Sequence, residues 1–405
     1  MAVSVRNFGD SHEVATPVDG ERGQTLAIEW PIYAVALAAV CIVVGLIWDI
    51  SWHRTIGRDT FWSPPHLLEQ IAAVIAGFSC GYVALRTSFA GGRVARDHSV
   101  RFWKFFHAPL GAWVCVWGTI MMITSAPFDD WWHNAYGLDV EIISPPHMVL
   151  ALGMLGIQLG AILLALAAQN RAETDNDRRR LGNIFAFTAS VVIVMGTIFL
   201  MEDAGFPNEM HGSDFYILTA AVLPIYLVGF ARASGLSWPA TRIAMFYMII
   251  VLTSIWVLQL FPAQAKLAPI YNPVTRMVPP PFPLLLIFPA LAIDVLMRRF
   301  GTDHDWLLSL ALGVAFVTVM LAAHWFWAEF MLSPAARNFF FAADQWDYNQ
   351  RLGPWRYTFW NLDTDASGKF SGLLFAKGLG LAVLFAVVLS RAGLWWGKGM
   401  SKVRR

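Results

Sequence analysis

Ten long apolar segments constrain the fold of this chain more than any other feature of its sequence. A helix that crosses the hydrocarbon core of a bilayer needs about 20 apolar residues. Lipid offers the backbone no hydrogen-bond partner, so such segments form helices. We therefore predict an all-α polytopic membrane protein with about ten transmembrane helices, over residues 30–50, 67–86, 106–126, 147–168, 183–201, 214–232, 241–261, 281–297, 306–329 and 371–391.

The composition supports a membrane protein and excludes several other classes. Hydrophobic residues make up 57% of the 405 residues and charged residues 14%, whereas about 25% is typical of soluble domains. The chain has a net charge of +1, and no basic cluster is interleaved with aromatic residues in a way that suggests nucleic-acid binding, so it is not expected to bind nucleic acid. Its three cysteines show no CxxC spacing, which argues against a disulfide framework or a zinc ribbon.

The distribution of Lys and Arg predicts the orientation in the membrane. Basic residues follow the second, fourth and eighth segments and fill the C-terminal tail, whereas the connections after the third and fifth segments contain acids and no Lys or Arg. Basic loops stay in the cytoplasm. We expect both termini to be cytoplasmic and, in a bacterial inner membrane, the acidic loops to face the periplasm.

The chain is expected to have three parts. Residues 1–29 form a polar cytoplasmic tail, and residues 30–180 form a four-helix metal-binding module. Residues 181–405 form a second membrane module of about six helices, with a long aromatic-rich loop over 332–370.

A repeated motif supplies the candidate site. Ser-Pro-Pro-His occurs at residues 63–66 and again at 144–147, each time before an apolar segment. Ser is a preferred N-cap and Pro suits the first helical turn, so each copy predicts a helix start with His on its first turn.

Each copy also follows an Asp and a His that are four residues apart, and therefore on one helical face. The 12 or 13 residues between the two histidines are enough for the chain to turn back. The predicted sites are Asp49, His53 and His66, and Asp129, His133 and His147.

One carboxylate and two imidazoles are a ligand set for copper, iron or zinc that leaves a position open for water, oxygen or substrate. The alternative is that these histidines cap helices or face interfacial water, but two motifs of matched spacing favour metal sites. The two motif copies, each with its flanking apolar segments, are either an internal duplication or two independent cases of proline preceding a membrane helix. A third proline-rich segment, 271–288, has no His after it.

The first motif resembles a known signature. "DISWHRTIGRDTFWSPPHLLEQ" (Asp49 to Gln70) is similar to the Asp-x3-His-x12-His signature of the C subunit of copper membrane monooxygenases, the particulate methane and ammonia monooxygenase family. "DDWWHNAYGLDVEIISPPH" is similar to the second metal motif of that family, with Asp129 where the family has Asn. The resemblance covers roughly residues 30–170 only.

The resemblance implies one or two copper ions, with Asp49, His53 and His66 as the catalytic metal site. Glu69 and Asp59, which match further positions of the signature, are expected to orient those ligands. It also implies other membrane subunits, an electron donor, O2 and a small substrate as partners.

Three further residues are weaker candidates for metal or proton binding. His211 and Glu202 lie in an acidic connection, and His324 lies among aromatic residues near the end of an apolar segment. A solvated loop and an interfacial aromatic belt explain them as well.

Three functions remain open from the sequence. The first is a membrane oxygenase, or its metal-bearing subunit, that uses copper to oxidise a small apolar or ammonia-like molecule. Iron and zinc remain alternatives to copper. The second is a non-catalytic copper-handling or metallation protein that uses the same ligands. The third, a structural subunit with idle motifs, is disfavoured because both ligand sets are intact.

Overall fold

The protein is almost entirely helical. The computed structural model describes residues 30–57, 62–137, 144–204 (backbone only from 199), 212–264, 275–301, 304–331, 333–342 and 363–404. The helices are α1 (Trp30–Thr55), α2 (Pro64–Leu85), α3 (Arg93–Asp97), α4 (Leu110–Tyr136), α5 (Pro145–Arg171), α6 (Asp175–Ala204), α7 (Ser213–Ala233), α8 (Pro239–Leu258), α9 (Ile287–Phe300), α10 (Asp305–Met331) and α11 (Gly372–Met400). A π-helical turn, Arg86–Ala90, extends α2, and strands β1 (Val100–Phe102) and β2 (Phe106–Ala108) pair antiparallel.

The predicted fold class is confirmed: this is an all-α, polytopic integral membrane protein. Within the described ranges, nine helices are long and apolar enough to cross a bilayer. Of the predicted segments, 281–297 is not among them, because α9 has only 14 residues. At 1.5 Å per residue it is about 21 Å long, which is too short to span a core of about 30 Å.

Proline residues explain why the predicted eighth segment does not form a full membrane-spanning helix. The predicted eighth segment began at residue 281, but residues 279–281 and 283 are all Pro and the chain is not helical before Ile287. Proline lacks the amide that a helix interior requires. The segment 277–284 is nevertheless buried, so its backbone groups need other partners.

Three buried side chains from three helices provide those partners. Thr55 of α1 accepts a hydrogen bond from the Val278 amide at 2.8 Å. Tyr247 of α8 donates its hydroxyl to the Pro283 carbonyl at 3.0 Å. His324 of α10 hydrogen-bonds through Nε2 to the carbonyl of Leu284. Three backbone groups of this non-helical segment are thereby paired inside the protein.

The two hairpins that carry the repeated motif are close-packed pairs. In the α4–α5 pair, a Cβ atom added to Gly118 would lie 2.7 Å from the Gly153 carbonyl oxygen, so the two backbones are nearly in contact. In the α1–α2 pair, Gly45 faces Glu69 in the same manner. Small residues at membrane helix interfaces permit this approach.

Helix α6 packs against α5, α1 and α8, and α11 packs against α7 and α10. The division into two modules near residue 180 stays a prediction. The expected tail, 1–29, and most of the expected loop, 343–362, lie outside the described residues. The cysteines Cys41, Cys80 and Cys115 are all free, which agrees with the absence of a predicted disulfide framework.

Candidate metal centres

The first candidate centre lies where α1 ends and α2 begins. Helix α1 continues five residues beyond its predicted end, to Thr55, so Asp49 and His53 lie one turn apart on one face. Helix α2 begins at Ser63 as N-cap with prolines in its first two positions, which places His66 on its first turn as predicted. The Asp49 Oδ1 atom is 3.2 Å from His66 Nε2 and 3.7 Å from His53 Nε2.

The second candidate centre repeats this arrangement where α4 ends and α5 begins. The Ser144 hydroxyl caps α5 by accepting the His147 amide at 3.4 Å. Asp129 Oδ2 is 3.3 Å from His133 Nε2, and Asp129 Oδ1 is 3.6 Å from His147 Nε2. The structure therefore brings together both predicted sets of three residues.

The two centres differ in how the imidazoles meet the carboxylate. In the first, both Nε2 atoms face the same oxygen of Asp49, and all three ligand atoms lie within 4.8 Å of one another. In the second, the two histidines face different oxygens of Asp129. Among the described residues, the first set is the one group of three or more His, Cys, Asp or Glu side chains whose ligand atoms all lie within 4.8 Å of one another. The first centre is the more completely assembled.

Both sets fit a metal ion chemically. With metal–nitrogen and metal–oxygen bonds of about 2.1 Å, tetrahedral ligands are separated by about 3.4 Å, which is close to the distances found here. Asp49 Oδ1 and Asp129 Oδ1 are buried, yet no described residue donates a hydrogen bond to either. A buried carboxylate oxygen without a donor is costly, and a cation removes that cost.

The histidine orientation in the second centre also suits a ligand. His133 Nδ1 is 3.2 Å from the Gly137 carbonyl, to which it can only donate. That bond places the proton on Nδ1 and leaves the Nε2 lone pair facing the Asp129 carboxylate. Metal-binding histidines commonly make such a bond through their other nitrogen.

Glu69 lies one turn further along α2 from His66 and is 3% exposed. Its side chain packs on Gly45, which precedes Asp49 by one turn of α1; a Cβ atom at Gly45 would lie 2.6 Å from Glu69 Cγ. The expectation that Glu69 orients the ligands of the first centre stays a prediction. The second centre has Leu150 at the matching position. Asp59, the other expected orienting residue, lies outside the described residues.

Of the three weaker candidates, His324 is not brought to either centre. His324 is fully buried in α10, packs on Phe215 with ring centroids 4.6 Å apart and bonds the Leu284 carbonyl. This contact assigns it a structural role in holding the proline-rich segment. His211 and the side chain of Glu202 lie outside the described residues.

A shared glycine was missed by the sequence reasoning. Gly57 and Gly137 each follow the second ligand by four residues and adopt φ values of +100° and +95°. Such left-handed conformations end helices and favour glycine. The signal was present in the sequence, since Asp-x3-His-x3-Gly occurs in both copies. The glycine fixes where each helix ends, and therefore where the loop that leads to the last His begins.

No protein-family model, no curated protein and no solved structure matches this chain. The resemblance to the monooxygenase C subunit therefore stays a prediction that rests on the two motifs.

Proposed function

We propose that this membrane protein binds a metal ion, copper by the resemblance, at the Asp49, His53 and His66 centre and a second ion at the Asp129 centre. The observation that carries the proposal is the convergence of two imidazole nitrogens on one buried carboxylate oxygen that no described residue hydrogen-bonds. The near-repetition of that geometry in the second hairpin supports it.

The chemistry that fits these ligands best is activation of O2 to oxidise a small apolar or ammonia-like substrate. Bound copper would supply the electron transfer to oxygen. Asp49 would balance the charge of the ion, and the two imidazoles would hold it while leaving a position open. Glu69, a buried carboxyl one turn away, would position His66.

We propose that the tryptophan next to the second ligand of each centre donates a hydrogen bond to a molecule bound there. Trp52 and Trp132 occupy the same repeat position, immediately before the second ligand. Both indole Nε1 atoms are buried, and no described residue accepts a hydrogen bond from them. In the proposed function they are available to an oxygen atom of a ligand bound at the centre.

A copper-handling protein is the second candidate. His53 has 48% of its side-chain surface exposed, which opens the first centre to exchange of metal with the surroundings. An oxygenase would in addition need an electron donor and, by the resemblance, other membrane subunits. A carrier would consume no oxygen and would release its metal to a competing chelator.

The proposed setting is a bacterial inner membrane. Each centre forms where one membrane helix ends and the next begins, so both lie at the end of the bundle opposite the basic connection 86–104. If that connection is cytoplasmic, both centres face the periplasm.

The deciding experiment is metal analysis with spectroscopy. The protein is purified in mild detergent, its copper, iron and zinc are quantified, and electron paramagnetic resonance spectra are recorded. The same is done for the double variants His53→Ala/His66→Ala and His133→Ala/His147→Ala. We expect copper with a nitrogen-rich type 2 signal, lost from one centre at a time.

Oxygen consumption with a supplied reductant then separates the two candidates. Uptake that depends on His53 and His66 supports the oxygenase. Loss of copper to a chelator without oxygen uptake supports the carrier. Wild-type protein that stays free of metal after reconstitution, or metal content indifferent to all four histidines, refutes the proposed function.

A further inference from the structure

The connection between α2 and α4 forms a short amphipathic hairpin at the opposite end of the bundle from the metal centres. Strands β1 and β2 pair from Val100–Ala108 to Phe102–Phe106, and residues 103–105 form the tip. Trp103 and Lys104 have φ values of +45° and +68°. This tip, together with its two strands, is here named the aromatic hairpin (residues 100–108).

The base of the aromatic hairpin is fixed to the helices. Ser88, in the π-helical turn after α2, accepts the His107 amide at 2.7 Å and donates its hydroxyl to the Ala84 carbonyl at 2.6 Å. On the other side, the Trp113 indole of α4 donates to the Val100 carbonyl at 3.1 Å. The hairpin is therefore held in one orientation.

Aromatic contacts place the hairpin beside the start of α4. The Phe102 ring is 5.2 Å from Trp113 and 5.9 Å from Trp117, both in the first turns of α4. Helix α4 has 27 residues, or about 40 Å, which matches a bilayer of about 40–45 Å with its headgroups. Its first turns then lie in the headgroup region, and the hairpin lies beside them.

The tip is exposed and apolar. Trp103 is 67% exposed and Phe105 is 58% exposed, and Phe89, beside the Phe106 ring, is 69% exposed. Large aromatic side chains in such a cluster are unfavourable in water and favourable at the boundary between headgroups and acyl chains.

The charge around this tip is strongly basic. Residues 86–108 contain five Lys or Arg and a single carboxylate, Asp97. Arg93, Arg96, Arg101 and Lys104 are exposed. Aromatic residues flanked by cations are suited to anionic lipid headgroups, to which each basic residue near the surface adds affinity.

We propose that the aromatic hairpin is an interfacial anchor that inserts Trp103 and Phe105 into the headgroup region of the surrounding membrane and prefers anionic phospholipid. Its position beside the first turns of α4 and its combination of exposed aromatic and basic residues favour lipid over a protein partner. This inference is independent of the proposed metal chemistry.

The test measures the depth of the tip directly. A nitroxide is attached at Phe105→Cys in the full chain, which is reconstituted into bilayers of phosphatidylcholine with or without phosphatidylglycerol. Relative accessibility to O2 and to a water-soluble nickel chelate reports depth. Unsubstituted protein treated in parallel corrects for Cys41, Cys80 and Cys115. Ser367→Cys, on an exposed polar loop, is the aqueous control, and Lys104→Cys serves if Phe105→Cys fails to fold.

We expect the tip label to be reached by O2 more than by the nickel chelate, and the label at Ser367→Cys to show the reverse. We also expect the tip label to lie deeper in bilayers that contain phosphatidylglycerol than in phosphatidylcholine alone. Adding Arg101→Gln and Lys104→Gln to the labelled chain should abolish this difference. The expected change in the insertion equilibrium is about 30-fold, which corresponds to about 1 kcal/mol for each cation removed.

Two results would overturn the proposal. One is a tip label as accessible to the nickel chelate as the label on the polar loop. The other is a label hidden from both reagents in purified or native membranes, which would show that a protein segment covers the hairpin.

Discussion

Thr55 links the proline-rich segment to the helix that carries two ligands of the first centre. Its side chain is fully buried and accepts the Val278 amide at 2.8 Å. Changing Thr55 to Val keeps the shape but removes the acceptor, which leaves a buried amide without a partner. Such a loss costs about 1–3 kcal/mol, or about 5- to 150-fold in the equilibrium for docking the segment.

The matched control is Thr55→Ser, which keeps the hydroxyl and removes one methyl group, at a cost of about 1 kcal/mol. Stability is measured by unfolding in mixed micelles with increasing sodium dodecyl sulfate, followed by circular dichroism. Because Thr55 lies two residues after His53, we also expect Thr55→Val to weaken copper binding at the first centre. The second centre should keep its spectrum.

The reasoning would be refuted if Val and Ser behaved alike in both assays. It would also be refuted if the two metal centres weakened equally, since only the first contains α1. If the wild type binds no metal, the unfolding measurement still tests the hydrogen bond, so failure of the proposed function and failure of this contact remain separable.

The remaining predictions concern packing and buried polar groups. Gly45→Ala should destabilise the protein by about 1–3 kcal/mol, because its new methyl group meets Glu69 at 2.6 Å, and it should lower copper affinity at the first centre. Gly81→Ala, which meets nothing within 4 Å in α2, should be neutral or stabilising in the same unfolding assay. Tyr247→Phe should cost about 1–3 kcal/mol in that assay by leaving the Pro283 carbonyl unpaired. An unchanged midpoint for Tyr247→Phe would show that this carbonyl finds another partner.

The local sequence around each centre predicted its geometry well. Ser63 and Ser144 begin helices because an N-cap hydroxyl followed by two prolines requires no distant partner. Asp49 and His53 share a face because four residues make about one helical turn. These features depend on neighbours in the chain, so the sequence was enough to predict both sets of three residues.

Prediction was less successful where the hydrogen-bond partner is distant in the chain. The predicted segment 281–297 is apolar enough to be taken for a membrane helix, and its length alone did not reveal that it is not helical before Ile287. Whether a buried, non-helical backbone is tolerable depends on what faces it. Here the partners come from α1, α8 and α10, with Thr55 lying 223 residues from Val278.

The sequence by itself determined that the chain is a helical membrane protein and that each Asp, His and His set is assembled at a hairpin. These outcomes follow from hydropathy, helix period and capping, which act over a few residues. Only the tertiary structure decided that His324 supports a backbone carbonyl, that Glu69 packs on Gly45, and that both imidazoles of the first centre face one oxygen of Asp49. Those outcomes depend on how closely separate helices approach, and that distance is fixed by the packing of the whole bundle.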